Sequence, residues 1–166
     1  MRRLFEARKL VHSRTNLDVG SGEYPFPGSL TVDVDPIKKP DRVASILDLP
    51  FPDMSFDSVT ALEVIEHLHR NEQRQAVNEL KRVLKRGGRL VVSIPNSSSF
   101  MLVPQRLVWW FRERTTQRRY YRNRWTHTHI GLMSPKELLF ELKGAGFTII
   151  VAKRVMLYDY IVAATY

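Results

Sequence analysis

Leu17-Asp18-Val19-Gly20-Ser21-Gly22, followed by Thr31-Val32-Asp33-Val34-Asp35, is the stretch on which the fold turns. It reads as an apolar strand running into a Gly-x-Gly turn, then a second apolar strand ending in an acid. Glycine lacks the Cβ that would hold a ligand away from the main chain, so such a turn lets backbone amides approach closely. A carboxylate at the tip of the next strand can accept hydrogen bonds from a ribose 2′- and 3′-hydroxyl pair. The two features together point to an adenosine-containing cofactor. A Gly-x-Gly turn is also a common purely structural device, and the rest of the chain has to discriminate.

Outward from this pair, strand-like and helix-like patterns alternate, the mark of an α/β domain. Strands are expected over residues 15–19, 30–35, 42–47, 56–62, 90–94, 147–151 and 159–164. Residues 1–14 fit a short amphipathic helix, with Leu4, Phe5 and Leu10 as its apolar positions. A second helix is expected over 72–85, where Ala76, Val77, Leu80, Val83 and Leu84 share one face and Gly87-Gly88 supplies a left-handed stop. Ser134-Pro135-Lys136-Glu137 opens a third, with serine as N-cap, proline at the first helical position and glutamate closing a capping box. Only about fifteen residues separate Asp18 from Asp33, and the next link is shorter still, whereas a parallel crossover normally takes a dozen or more. The crossovers after strands one and two are therefore expected to be reduced to turns.

With 166 residues, 43% of them hydrophobic, the chain reads as one domain, 1–166, with a real core. No apolar run approaches the roughly 18–20 residues of a membrane span, and no apolar stretch follows the basic start as in a signal peptide. There is no cysteine, so neither disulfides nor thiolate chemistry arise, and the cytoplasm is the expected location. The net charge of +9 is uneven: between Arg106 and Arg124 stand seven arginines against one acid, Glu113. Trp109, Trp110, Tyr120, Tyr121 and Trp125 interleave with them, so residues 97–126 form a basic aromatic insert. Such a segment suits an anionic partner, either a membrane surface that would make the protein peripheral there, or nucleic acid. A solvated arginine-rich loop is the bland alternative.

Five ordered blocks now carry a resemblance: LDVGSG at 17–22, TVDVDP at 31–36, LDLPFPDMSFDSVTALEVIEHL at 47–68, ELKRVLKRGGRLVVSIPN at 79–96 and SPKELLFELKGAGF at 134–147. The chain resembles the class I S-adenosylmethionine-dependent methyltransferases, in their type-11, quinone-biosynthesis-like branch. The resemblance implies a Rossmann-like, mostly parallel seven-stranded sheet with an antiparallel last strand. It also implies S-adenosylmethionine as cofactor. Carried over residue by residue, Asp18, Gly20, Ser21 and Gly22 would line its methionine portion, Asp33 would hold the ribose and Val34 would lie beside the adenine. The family's usual acid for the adenine amine is replaced by Ser45, which shifts that contact to Ile46 and Leu47 or to Asp48. Glu63 would face the cofactor near its sulfonium. Acids for the cationic groups and glycine amides for the carboxylate form a chemically coherent set. A dinucleotide site fits less well, because Glu23-Tyr24-Pro25 stands where its third glycine belongs.

Methyl transfer is an in-line displacement that alignment alone can drive, so no obligate base is demanded and the catalytic residue stays unassigned. His67 and His129 are candidates; His67 has a structural alternative as a histidine fixing the loop after strand four. The acceptor side would draw on His127, Arg106, Trp110 and Tyr121 from the insert, acting as a lid. His127-x-His129 has no cysteine or acid cluster beside it, so no metal site is expected. The reading is thus methyl transfer to a small-molecule or lipid-linked acceptor. A nucleic-acid methyltransferase and a non-catalytic binding module of the same fold stand as alternatives. A thinly covered sheet face would be closed by the first helix or by a second copy in a homodimer.

Overall fold

The computed structural model describes residues 2–11, 15–95, 133–155 and 159–166. A seven-stranded sheet runs through it: β1 (Asn16–Val19), β2 (Leu30–Asp33), β3 (Arg42–Val43), β4 (Phe56–Leu62), β5 (Leu84–Pro95), β6 (Thr148–Val155) and β7 (Asp159–Thr165). Their order is β3-β2-β1-β4-β5-β7-β6. The pairs from β3 to β5 are parallel, and β7 is antiparallel to both β5 and β6. Only β7 runs against the rest, as expected. Chain order reverses between β1 and β4, and the crevice outside the carboxyl ends of strands at such a reversal is where open α/β sheets bind ligands.

Among the described residues three helices accompany the sheet: α1 (Arg2–Arg8), α2 (Arg70–Val83) and α3 (Pro135–Gly144). On one face, Leu17, Val19, Val59, Ala61, Leu90 and Val92 form the main core with Ala76, Val77 and Leu80 of α2 and Leu138 and Leu142 of α3. The alternate residues Leu62, Val91, Ile161 and Ala163 point to the other face, where Ala7 and Leu10 from α1 and its exit cover them together with Phe26. α1 therefore closes part of the thin face.

No helix joins β1 to β2, and the β2–β3 link holds only a 3-10 turn, Pro36–Lys38, started by the Asp35 carboxylate accepting from the Ile37 amide at 3.0 Å. The register explains how the first short link is tolerated. Asn16 pairs with Ser58 and Asp18 with Thr60, all four buried, on the face a crossover helix would cover. The Ser58 hydroxyl donates to Asn16 Oδ1 at 2.6 Å and the Thr60 hydroxyl to Asp18 Oδ1 at 2.6 Å. Asn16 Nδ2 then donates to the Ser29 hydroxyl at 2.5 Å, and the Phe26 amide to Asp18 Oδ2 at 2.7 Å. A polar ladder fastens a loop where an apolar stripe would have fastened a helix.

Several boundaries differ from expectation. α2 runs two residues earlier at each end, because the Glu72 carboxylate accepts from the His69 amide at 2.9 Å and Leu84 pairs with Phe56 in the sheet. Gly87 is left-handed (φ +73°), but its turn lies within β5, where its amide meets the Tyr166 carbonyl. The expected strand over 42–47 keeps two residues. Ser45 turns the chain back, its hydroxyl accepting from the Leu47 amide at 3.1 Å and its carbonyl from the Asp48 amide. The cap of α3 is as read: Glu137 N–H donates to Ser134 Oγ, and Ser134 N–H to the Glu137 carboxylate.

Candidate functional site

The carboxyl ends of β1, β2 and β4 bring three segments together. The Gly20 and Ser21 amides both donate to the Val32 carbonyl, at 2.7 and 3.1 Å, so the glycine turn is bent against the end of β2. Gly20 (φ +68°) and Gly22 (φ +57°) both need left-handed backbone. Their surroundings differ. A Cβ on Gly20 would lie 2.4 Å from Val64 Cγ2, so the turn is pressed directly onto the loop after β4. A Cβ on Gly22 would meet nothing nearer than a carbonyl oxygen at 4.0 Å. Gly22 faces open space.

Asp33 is fixed from both sides. Its Oδ2 accepts from the Gly22 amide at 2.9 Å and its Oδ1 from the Asp35 amide at 2.9 Å. Each carboxylate oxygen keeps acceptor capacity, so two adjacent hydroxyls can still be bound by a group that no longer has to be ordered. Val34 beside it is exposed, an apolar surface available to a flat ring. Lys38 Nζ reaches Glu23 at 2.7 Å and ties the loops after β1 and β2 together.

Glu63 ends β4 with φ +59°, a backbone state that costs an ordinary residue about 1 kcal/mol and collects at functional sites. Its amide donates to the Ser93 carbonyl at 3.0 Å, and its carboxylate accepts from the Ser93 hydroxyl at 2.9 Å. The strain is thus held by two bonds to β5. Ser45 and Leu47 shape the turn described above, Ile46 is buried in the main core, and Gln75 of α2 donates to the Leu47 carbonyl at 3.1 Å.

Asp18 stands apart from this group. Both its oxygens are engaged by Phe26 and Thr60, and burial pushes its carboxyl above the usual range while those bonds oppose the rise. Both bonds fasten the loop after β1, and Asp18 differs from Asp33 in being buried. His67 closes the 3-10 turn Ile65–His67 in the loop after β4, with its amide on the Val64 carbonyl. His127, His129, Arg106, Trp110 and Tyr121 lie outside the described residues, as does the whole 97–126 insert.

A family profile described as a methyltransferase domain matches residues 17–92, the span from β1 through most of β5 that contains the glycine turn, Asp33 and Glu63. Over that span the chain is similar to the methyltransferases. S-adenosylmethionine is the cofactor named for relatives that it matches. Among relatives, a probable S-adenosylmethionine-dependent methyltransferase of Mycolicibacterium smegmatis is 46% identical over 59 residues, 36% of this chain and 22% of that one. Among solved structures, a methyltransferase from Archaeoglobus fulgidus superposes with a TM-score of 0.72 at 16% identity, covering 100% of this chain and 95% of that one. A 1,6-didemethyltoxoflavin-N1-methyltransferase of Burkholderia thailandensis, with S-adenosylhomocysteine bound, gives 0.66 at 14% identity, covering 99% and 76%. The chain spans at most 62% of the length of the first three curated relatives it matches.

The residues present fit that cofactor. Gly22 leaves open the space that a side chain would fill, Asp33 offers two oriented oxygens beside it, and Glu63 adds an acid from the far side of the β1–β4 crevice. Sequence reasoning missed Arg82, which it treats as a helix-end charge. Its guanidinium donates to the Leu49 and Phe51 carbonyls and to Asp53 and Glu79, so it holds the whole Leu49–Asp53 turn below Ile46 and Leu47. A Leu-Pro-Phe-Pro-Asp turn carries five carbonyls with few amides to meet them, and that deficit was the available signal.

Proposed function

We propose that this chain transfers a methyl group from S-adenosylmethionine to a small-molecule or lipid-linked acceptor. The observation that carries the cofactor half is Asp33, its carboxylate fixed by the Gly22 and Asp35 amides beside the open face of Gly22. When bound, the cofactor supplies a methyl group on a sulfonium centre, already activated toward a nucleophile. The protein's work is then to bind and align. Asp33 would take the ribose hydroxyls, Val34 would support the adenine, and backbone around Ser45, Ile46 and Leu47 would read its edge. The amides of the Gly20–Gly22 turn would meet the carboxylate, and Glu63 would favour the positive groups. Asp18 would act through the loop it fastens. His67, in the loop after β4, is with His129 the candidate for preparing the acceptor.

The acceptor class rests on the sequence of the insert, whose arginines and aromatics suit an amphipathic molecule with an anionic head or a membrane surface carrying one. Among the described residues no helix is long and apolar enough to cross a membrane. We place the protein in the cytoplasm, peripheral at such surfaces. Titration calorimetry with S-adenosylmethionine and S-adenosylhomocysteine tests the cofactor site, and no heat with either sinks it. Following S-adenosylhomocysteine release with small hydroxylated and amino compounds, lipid-linked compounds in vesicles, and oligonucleotides then tests the acceptor. Turnover confined to oligonucleotides would overturn the proposed class.

A further inference from the structure

We propose that α1 is a positioning element for the cofactor turn: it holds the Phe26 side chain so that the Phe26 amide keeps Asp18, and with it Gly20–Gly22, in place. This rests on the cofactor reading given above. In the absence of a crossover helix, Gly22 is tied to Asp33 and Glu23 to Lys38, and the stretch beyond them, residues 24–29, is held to the sheet by two sets of contacts. One is polar, the Asp18 and Asn16 bonds to the Phe26 amide and the Ser29 hydroxyl. The other is the Phe26 ring, which is 6% exposed in a cluster with Ala7, Leu10, Leu62, Val91, Ile161 and Ala163. Leu62 immediately precedes Glu63, so the same cluster lies under the third segment of the site.

α1 is itself fastened outside the site. Lys153 on β6 donates to Glu6 at 2.6 Å, Lys9 donates to the other Glu6 oxygen at 2.9 Å, and Arg89 on β5 reaches the Leu10 carbonyl at 3.4 Å. None of these groups belongs to the cofactor site. A seven-residue helix cannot stand alone in water, so its position is set by this docking and is correspondingly easy to loosen. Loosening it removes the apolar support of Phe26 while the main core stays intact. The loss should appear in cofactor affinity, not only in stability.

The test compares Leu10→Ala with Leu138→Ala, a buried leucine of α3 in the main core on the opposite face. Both should lower the melting temperature. At 10 °C, where each variant is folded, calorimetry with S-adenosylhomocysteine should show Kd raised about tenfold for Leu10→Ala and within about twofold of wild type for Leu138→Ala. Leu10→Met, which restores the bulk, should recover most of the affinity. Equal Kd for wild type and Leu10→Ala overturns the inference, as does equal weakening by Leu138→Ala. If Leu10→Ala does not fold, Glu6→Gln with Lys153→Gln reads the same docking, with a Kd rise of about threefold expected and an unchanged Kd counting against it. If wild type binds neither compound, the cofactor reading fails alone. Hydrogen exchange at the Phe26 amide then decides the inference: faster exchange in Leu10→Ala supports it, and unchanged exchange refutes it.

Discussion

Substituting the two glycines of the cofactor turn separates what each one does. Alanine in the left-handed region costs about 1 kcal/mol at either position. At Gly20 the new methyl would also sit 2.4 Å from Val64 Cγ2 and 3.1 Å from its Cγ1. Val64 is β-branched and stiff, so relief requires moving the loop after β4, an overpacking cost of about 1–3 kcal/mol. At Gly22 no such neighbour exists. In a domain of this size about 1 kcal/mol moves the melting temperature by roughly 2–4 °C. Gly22→Ala should therefore melt only a few degrees below wild type, and Gly20→Ala about two to four times further down. Binding should order them differently. The Gly22 methyl would occupy the space beside Asp33 that the ligand needs, so Gly22→Ala should lose at least tenfold in S-adenosylhomocysteine affinity despite its near-normal stability. Thermal melts and calorimetry on the two variants suffice. A stable Gly22→Ala that binds like wild type would refute the assignment of that open face to the cofactor.

Other consequences are as direct. Asp33→Asn keeps the shape but removes a charged acceptor, and loss of about 1.5–3 kcal/mol predicts about 10- to 150-fold weaker binding by calorimetry. Thr60→Val withdraws the hydroxyl from a buried carboxylate, so urea unfolding should show about 1–3 kcal/mol of lost stability. Arg82→Lys cannot reach two carbonyls and two carboxylates at once, and urea unfolding should register about 1–3 kcal/mol with the 49–53 turn exchanging faster. Glu6 is held down to about 2 by hydrogen bonds from Lys153 and Lys9, below its ordinary 4.5. Its contribution is therefore present above pH 4.5 and fades as pH falls toward 2. The melting-temperature gap between wild type and Glu6→Gln should shrink across that window, and a constant gap would contradict it.

What could be read from the sequence was what short range decides. Gly20, Gly22 and Asp33 announce themselves because turn chemistry and strand ends are local, and Phe56–Leu62 was legible to the residue as an apolar run between turns. The Ser134 cap was legible for the same reason. The short crossovers followed from chain length alone. Their compensation did not, because the Asn16–Ser58 and Asp18–Thr60 pairs exist only once β1 and β4 are in register. Asp18 illustrates the limit: an acid before a Gly-x-Gly turn suggests a ligand contact, and nothing local shows that its oxygens also accept from Phe26 and Thr60. Arg82 and the docking of α1 depend likewise on partners far along the chain.

The most direct measurement is a crystal of the protein grown with S-adenosylhomocysteine. The nucleoside should lie across the carboxyl ends of β1 and β2, its two ribose hydroxyls within hydrogen-bond distance of the Asp33 oxygens and its chain running past Gly22 toward Glu63. A nucleoside bound elsewhere, or Asp33 turned away from it, would contradict the account.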